Sequence, residues 1–477
     1  MKKAPPHRAA SAPARAKSAN KLDKLHGVVR LLQEHNTSVR VCGTVSQITP
    51  GYYGISGLEK HVCIGDCIEL DVMRPYGRGP ARAEVIRIDE GKVYAKPYSQ
   101  HLDVGIGTRV MRMGPVQLSP DNSWLGRVID SLGRPIDNRG MLVPGRLSVS
   151  LEGDPPPAME RSMIEKPIRT GVRAIDLFTP LCVGQRIGVF AGSGVGKSTL
   201  LAMLASALDF EVVVVALVGE RGREVREFIE GTLGEALTKS VVVVATGDES
   251  PMMRRQAPKT AMAIAEHFRD QGLSVLMIMD SATRFAQAAR DVAMASGEPA
   301  VARGYTPSVF SELPRLLERA GPGRVPEHES EPCGAITGIF SVLVDGDDHN
   351  DPVADSIRGI LDGHIVLDRA IADQGRYPAI DVLSSVSRMA NKAWNKNEAQ
   401  LIMKLKSMIT RYEETRDLRL LGGYTKGADA ELDHAMLLIP SIYDILCQTP
   451  HEMVPANEID DPFRELSDAL TAKEIKD

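Results

Sequence analysis

The sequence predicts an α/β protein: a parallel-sheet core set between a small N-terminal β-barrel and a C-terminal helical domain. Three observations carry this. Five apolar runs of strand length alternate with helix-length segments mid-chain: "QRIGVFA" (185–191), "EVVVVALVG" (211–219), "SVVVVATG" (240–247), "SVLMIMD" (274–280) and "ITGIFSVLV" (336–344). Runs without polar alternation are buried on both faces, as in a parallel sheet covered by helices. Short β-rich segments parted by glycine turns precede them, and charged, helix-favouring sequence follows.

At 477 residues the chain is too long for one ordinary core, so two or three domains are expected. Residues 1–20 are rich in Ala, Pro, Ser, Lys and Arg and read as a disordered basic arm. The next unit, 21–100, opens with an amphipathic helix near Leu22–Gln33. It continues through "VRVCGTVSQI", "HVCIGDCIELDV", "ARAEVIRID" and "GKVYAKPYS", regularly spaced strands of a barrel. The core spans 101–390, with "KSTLLAMLASALD" and "PKTAMAIAEHFRDQG" as helices on the sheet. Residues 391–477 form a helical domain ending in an acidic, solvated tail.

Composition narrows the function. A formal net charge of -5 argues against a dedicated nucleic-acid binder. The six cysteines include no C-x-x-C pair, which favours reduced thiols over a zinc site. No apolar run reaches the roughly 18–20 residues of a membrane span, and the N-terminus lacks the apolar region of a secretory signal. A cytoplasmic protein with at most peripheral membrane association is expected.

The chemistry starts at "AGSGVGKST", residues 191–199, which fits G-x-x-x-x-G-K-[ST] except for Ala191. Gly192, Ser193, Gly194, Val195 and Gly196 let backbone N–H groups turn inward toward phosphates. Lys197 supplies a point charge, and Ser198 a hydroxyl for Mg²⁺. The helix that follows, starting with Lys197, Ser198 and Thr199, points its positive dipole end at the anion. Asp280 ends a buried strand downstream, where an acid holds the Mg²⁺ shell or, in the plainer reading, caps the next helix. Glu220 ends the strand after the loop, placed to polarise a water; "GERGREVREF" is equally the charged start of a helix. Arg284 shares the turn after Asp280 and serves phosphate oxygens or a surface salt bridge. Composition alone leaves "RYPAIDVLSSVSRMA" (376–390) as strand or loop, then turn.

These motifs, in this order and spacing, resemble the catalytic family of the rotary ATPases. "AGSGVGKST", "VGERGRE", "LMIMDSATRFAQA" and "YPAIDVLSSVSR" carry the likeness, with "GRVIDSLGRPIDNRG" (126–140) and "RTGVRAIDLFTPLCVGQR" (169–186) upstream. Within the family, "DDHNDPVADSIRGILDGHIVLDRAIADQGRYPAIDVLSSVSR" is similar to the ATPases of flagellar type III export. The resemblance implies a RecA-like P-loop core and ATP hydrolysis with Mg²⁺ in a homohexameric ring. It implies residues 192–199 and Tyr377 on the nucleotide, with Tyr377 packing on adenine. Glu220 becomes the catalytic carboxylate, with Lys197, Arg221 and Arg284 near the phosphates. Ser198, Asp280 and Glu224 form the metal set, and Arg388 is a finger entering the neighbouring subunit's site. It further implies a stalk-like regulator at the N-terminus, a central-stalk-like protein, and an export gate handling substrates with chaperones. The weighed alternatives are a virulence injectisome ATPase, an ion-coupled synthase subunit, a Rho-type RNA translocase and a non-catalytic ring subunit.

Overall fold

The computed structural model describes residues 41–450 apart from 75–76, 90, 101, 327, 329–332 and 345–350, together with 452, 463, 464 and 466. The basic arm, the helix near Leu22–Gln33 and nearly all of the acidic tail lie outside the described residues.

Six strands close the barrel: β1 (Cys42–Ile48), β2 (Tyr53–Ser56), β3 (Asp66–Arg74), β4 (Gly77–Asp89), β5 (Lys92–Pro97) and β6 (Arg109–Pro115). Their order is β1–β2–β5–β4–β3–β6, with β6 returning to β1. Val45, Ile55, Ile68, Leu70, Val85, Val93 and Val110 fill the interior. Alternation along β1 and β5 sends every second side chain inward, as a two-residue period requires. The last strand corrects the sequence boundary at residue 100: the barrel runs to Pro115. "RVMRMGP" buries only two of its seven residues, so it carries little strand signal of its own. Pairing with both β1 and β3 makes it a strand.

The core sheet has β7 (Arg127–Asp130), β8 (Arg186–Ala191), β9 (Val212–Val218), β10 (Ser240–Ala245), β11 (Ser274–Asp280), β12 (Ala335–Leu343), β13 (Gly363–Leu367) and β14 (Ile380–Ser387). The order is β14–β13–β8–β12–β11–β9–β10–β7, with a short strand Gly321–Pro322 beside β12. All eight run parallel except β14, which is antiparallel to β13. The continuous apolar runs follow from two covered faces. On β9, Val213, Val215 and Leu217 join one core, whereas Val212, Val214, Ala216 and Val218 join the other.

The first face is covered by α1 (Lys197–Ser206). The second is covered by α2 (Pro251–Arg269), α3 (Ala282–Ala295), α4 (Pro307–Leu317) and α5 (Pro352–Ile360). Helix α2 starts seven residues before the expected "PKTAMAIAEHFRDQG". Ser250 is its N-cap, accepting from the Met253 N–H at 3.2 Å, and Pro251 takes the first turn, where no N–H is needed. Pro258, read as a start, sits inside the helix, which burial of both flanks holds together.

Beyond the sheet, α6 (Lys396–Glu414) and α7 (Ala430–Leu446) pack against each other. Asn395 and Glu398 form a capping box on α6, and Asp429 caps α7. Ile402, Leu405, Ile409, Leu438, Ile439 and Ile442 extend the α1-side core.

The barrel meets the core through charge. Arg255 of α2 reaches Glu84 of β4 at 2.9 Å and Glu312 of α4 at 2.8 Å, and Lys259 reaches Glu312 at 2.7 Å. The Tyr98 hydroxyl donates to Glu84 at 3.0 Å, and Ser250 Oγ donates to the Tyr98 carbonyl at 2.5 Å.

Candidate functional site

Parallel strands end on one edge, so the segments leaving β8, β9, β11 and β12 converge there, where open α/β sheets bind ligands. The loop after β8 turns on Gly194 (φ 81°) and Gly196 (φ 91°), both left-handed, and Gly196 is the N-cap of α1. Val195 is buried in the core beneath and anchors the loop, leaving its backbone to face outward. Ser198 and Thr199 lie in the first turn of α1. The free N–H groups of this turn make an anion site.

Lys197 Nζ bonds Asp280 Oδ1 and lies 3.8 Å from Glu220 Oε1. Asp280 is buried at the end of β11, and Ser341 Oγ of β12 donates to it at 2.6 Å. Asp280 is not the cap of α3; Ser281 Oγ is, accepting from the Arg284 N–H at 3.3 Å. Burial raises the Glu220 carboxyl above the usual carboxylate range. The charge on Asp280 and a hydrogen bond with Glu224 push the same way, against Lys197. A carboxylate with a raised pKa, a cation and a second acid thus meet in one cluster. Ser198, Glu220, Glu224 and Asp280 line a cavity of about 160 Å³ with Val225 and Phe228.

The metal-ligand expectation fits this donor set: all hard oxygens, one from a hydroxyl and two from carboxylates. Among the described residues no group of three or more His, Cys, Asp or Glu makes a ready metal cage.

Tyr377 is 45% exposed, and its ring stands beside the loop: a Cβ on Gly196 would meet Tyr377 Cδ1 at 3.5 Å. Arg284 leans its aliphatic stem on Gly219, at 3.3 Å from a Cβ placed there. Arg221 is largely exposed and pairs with Glu224 at 3.4 Å. Arg388 is not at this edge. Strand β14 runs against its neighbours: Ile380 pairs Leu367, level with Ala191, while Ser387 pairs Gly363 at the opposite end. Their partners Gly363 and Leu367 are four strand steps apart, roughly 13 Å, and a bulge in β14 takes up its extra residues. Within one chain the structure brings Lys197, Ser198, Glu220, Glu224, Asp280, Arg284 and Tyr377 together and leaves Arg388 apart.

Three contributors escaped the sequence reading. Ser341 braces Asp280; its only sign was a polar residue in an otherwise apolar run, which needs a buried partner. Arg369 donates to the Ser193 carbonyl at 3.1 Å, and the Gln448 N–H donates to the Tyr377 carbonyl at 2.7 Å. No local pattern marks either.

Comparison with known proteins agrees with this fold. The family described as ATP synthase alpha/beta family, nucleotide-binding domain, matches residues 171–387, and the T3SS EscN ATPase C-terminal domain matches 394–464. The flagellum-specific ATP synthase of Rhizobium meliloti (strain 1021) is 54% identical, across 95% of this chain and 94% of its own. The type 3 secretion system ATPase of Xanthomonas euvesicatoria is 42% identical, across 87% and 91%. The assembled ATPase EscN of the enteropathogenic E. coli type III secretion system superposes with a TM-score of 0.80 at 39% identity, covering 90% of this chain and 100% of that one. With its P-loop, its RecA-like sheet and identity of this depth along nearly the whole length, the chain belongs to the ATP synthase alpha/beta family, on the branch of the flagellum-specific ATP synthases.

Proposed function

We propose that the protein hydrolyses ATP in a homo-oligomeric ring and that this energises type III protein export for flagellum assembly. The observation that carries it is the meeting of Lys197, Glu220 and Asp280 at the P-loop edge, in a chain 54% identical to the flagellum-specific ATP synthase of Rhizobium meliloti and 42% identical to the secretion ATPase of Xanthomonas euvesicatoria. ATP phosphates rest on the N–H groups of residues 192–199, and Lys197 turns from Asp280 toward the β- and γ-phosphates. Glu220 orients a water and takes its proton as the O–P bond forms and the β–γ bridge breaks, releasing ADP. Ser198, Asp280 and Glu224 hold Mg²⁺, which when bound neutralises charge on the phosphates. Arg284 and Arg221 face the γ-phosphate side, and the exposed Tyr377 ring packs on adenine.

Arg388 acts in trans. Its placement at the far end of β14 supports this, since it cannot reach its own chain's loop. EscN has been solved assembled and with its central stalk EscO; a central-stalk-like partner for this ring follows by the same reasoning. An N-terminal regulator, an export gate and chaperoned substrates complete the set. Attachment to the export apparatus is peripheral in this reading; no helix among the described residues is long and apolar enough to cross a membrane. A Rho-type motor would need exposed aromatics on the barrel; Tyr53 is buried and Tyr52 packs edge-on against Tyr94.

ATPase rate against protein concentration, with sizing in parallel, tests the composite site. Specific activity should rise steeply where rings form. A flat rate carried by monomers would sink the trans arrangement. Deletion should abolish motility while sparing any effector secretion; the reverse would reassign the protein to an injectisome.

A further inference from the structure

The segment Arg376–Tyr377–Pro378 is held at both ends. On one side the Tyr377 ring lies beside Gly196 of the P-loop. On the other, a cavity of about 240 Å³ opens between the segment and α6 and α7, lined by Arg376, Pro378, Glu413, Tyr443 and Cys447. Close packing therefore does not fix the segment from behind. Polar contacts do, among them the Arg376 N–H donating to the Ile371 carbonyl at 3.3 Å. The Arg376 guanidinium stacks 3.9 Å from the Tyr443 ring centroid. The Gln448 N–H donates to the Tyr377 carbonyl at 2.7 Å.

Gln448 sits just past the end of α7 and is 4% exposed. Its side-chain amide is fully engaged. Oε1 accepts from the Arg173 N–H at 3.1 Å, and Nε2 donates to the Gly171 carbonyl at 2.7 Å and the Glu452 carbonyl at 3.2 Å. Gly171 and Arg173 belong to the segment leading into the core ahead of β8. The amide thus pins the Gln448 backbone to the core, and that backbone pins Tyr377.

We infer that Gln448 is a positioning residue for the nucleotide base: its buried side-chain amide anchors the backbone whose N–H holds the Tyr377 carbonyl, and so the ring, at the distance from the P-loop that a base needs. This rests on the reading of Tyr377 as the adenine platform. A mispositioned ring weakens nucleotide binding, while Lys197, Glu220 and Asp280, on other strands, keep their geometry. The signature is therefore a KM effect with kcat retained.

The test uses the full-length protein at ring-forming concentration, with Tyr377→Ala, Gln448→Leu, Gln448→Glu and the Tyr377→Ala/Gln448→Leu double variant. Gln448→Leu should raise the KM for ATP roughly fivefold to twentyfold with kcat within about twofold, since one or two contacts are lost. Gln448→Glu, which keeps the bond from Arg173, should fall between. In the Tyr377→Ala background Gln448→Leu should add little. Tyr377→Ala with unchanged KM overturns the adenine-platform reading itself. If Tyr377→Ala raises KM but Gln448→Leu leaves it unchanged, lowers kcat instead, or adds in full to Tyr377→Ala, Gln448 does not position the ring.

Discussion

Gly219 stands between Val218 and Glu220 in a left-handed backbone conformation that side chains rarely adopt. Its φ is 72°, and a Cβ would press on Cβ, Cγ and Cδ of Arg284, each at 3.3 Å. The glycine lets the chain turn sharply at the end of β9, so that Glu220 faces Lys197 while Arg284 passes alongside. Gly219→Ala should cost about 1–2 kcal/mol of stability from the left-handed backbone. It should also lower kcat by about tenfold or more, as Glu220 and Arg284 are pushed apart; thermal melts and steady-state rates check both. Glu220→Gln should keep ATP binding and cut kcat by about 10²–10⁴. Equal turnover of variant and parent would remove Glu220 from the mechanism. In the sequence, Glu220 was an acid at a strand end that the family resemblance singled out, and Ser341, the partner of Asp280, was one polar letter in "ITGIFSVLV". Which carboxylate meets which cation depends on strands 60 residues apart in sequence, so residue types were legible and contacts were not.

The segment from β10 to α2 links the site to the barrel. The Gly247 N–H donates to the Glu220 carbonyl at 2.9 Å, Gln100 Nε2 donates to the Asp248 carbonyl at 2.8 Å, and Ser250 reaches Tyr98. Between them Glu249 has a buried Oε2 with no hydrogen-bond partner among the described residues. Burial first, then Asp130 and Asp248, push its carboxyl from 4.5 up to about 7, while the Thr246 backbone opposes them. A raised acid binds its proton more tightly when folded. Its favourable contribution is complete below about pH 4.5 and is lost as pH rises through about 7. Discounted for partial exposure, the loss is about 1–2 kcal/mol. Glu249→Gln should therefore match the parent near pH 5 and melt higher at pH 8. Parallel melting-temperature curves across that range would refute it. The element-level misreading in this region has the same origin. The expected segment "PKTAMAIAEHFRDQG" opened at Pro258, but Ser250 and Pro251 supply the cap and the burial of α2 overrides Pro258.

At the scale of the whole molecule, antiparallel β14 carries Arg388 away from its own chain's P-loop, and the trans reading therefore predicts that one chain is insufficient. Tyr377 precedes it at the P-loop edge, and Arg388 follows it at the other. Glu220→Gln and Arg388→Ala should each be nearly inactive, the second by about 10³–10⁵ in rate. Mixed before ring assembly, they should regain activity, because roughly a quarter of interfaces then join an intact Glu220 to an intact Arg388. A mixture no more active than its parts would place the finger in cis.

The sequence by itself determined the class of sheet, the P-loop and the residue types for the chemistry. Continuous apolar runs require two covered faces, and successive inward N–H groups require glycines at set positions; both are local rules. Tertiary structure decided the rest. It closed the barrel with "RVMRMGP", set Lys197 between two acids from separate strands, hung Tyr377 from Gln448, and put Arg388 beyond its own site. Each of these is a pairing between distant segments, fixed by strand register and direction, which periodicity along a chain does not encode.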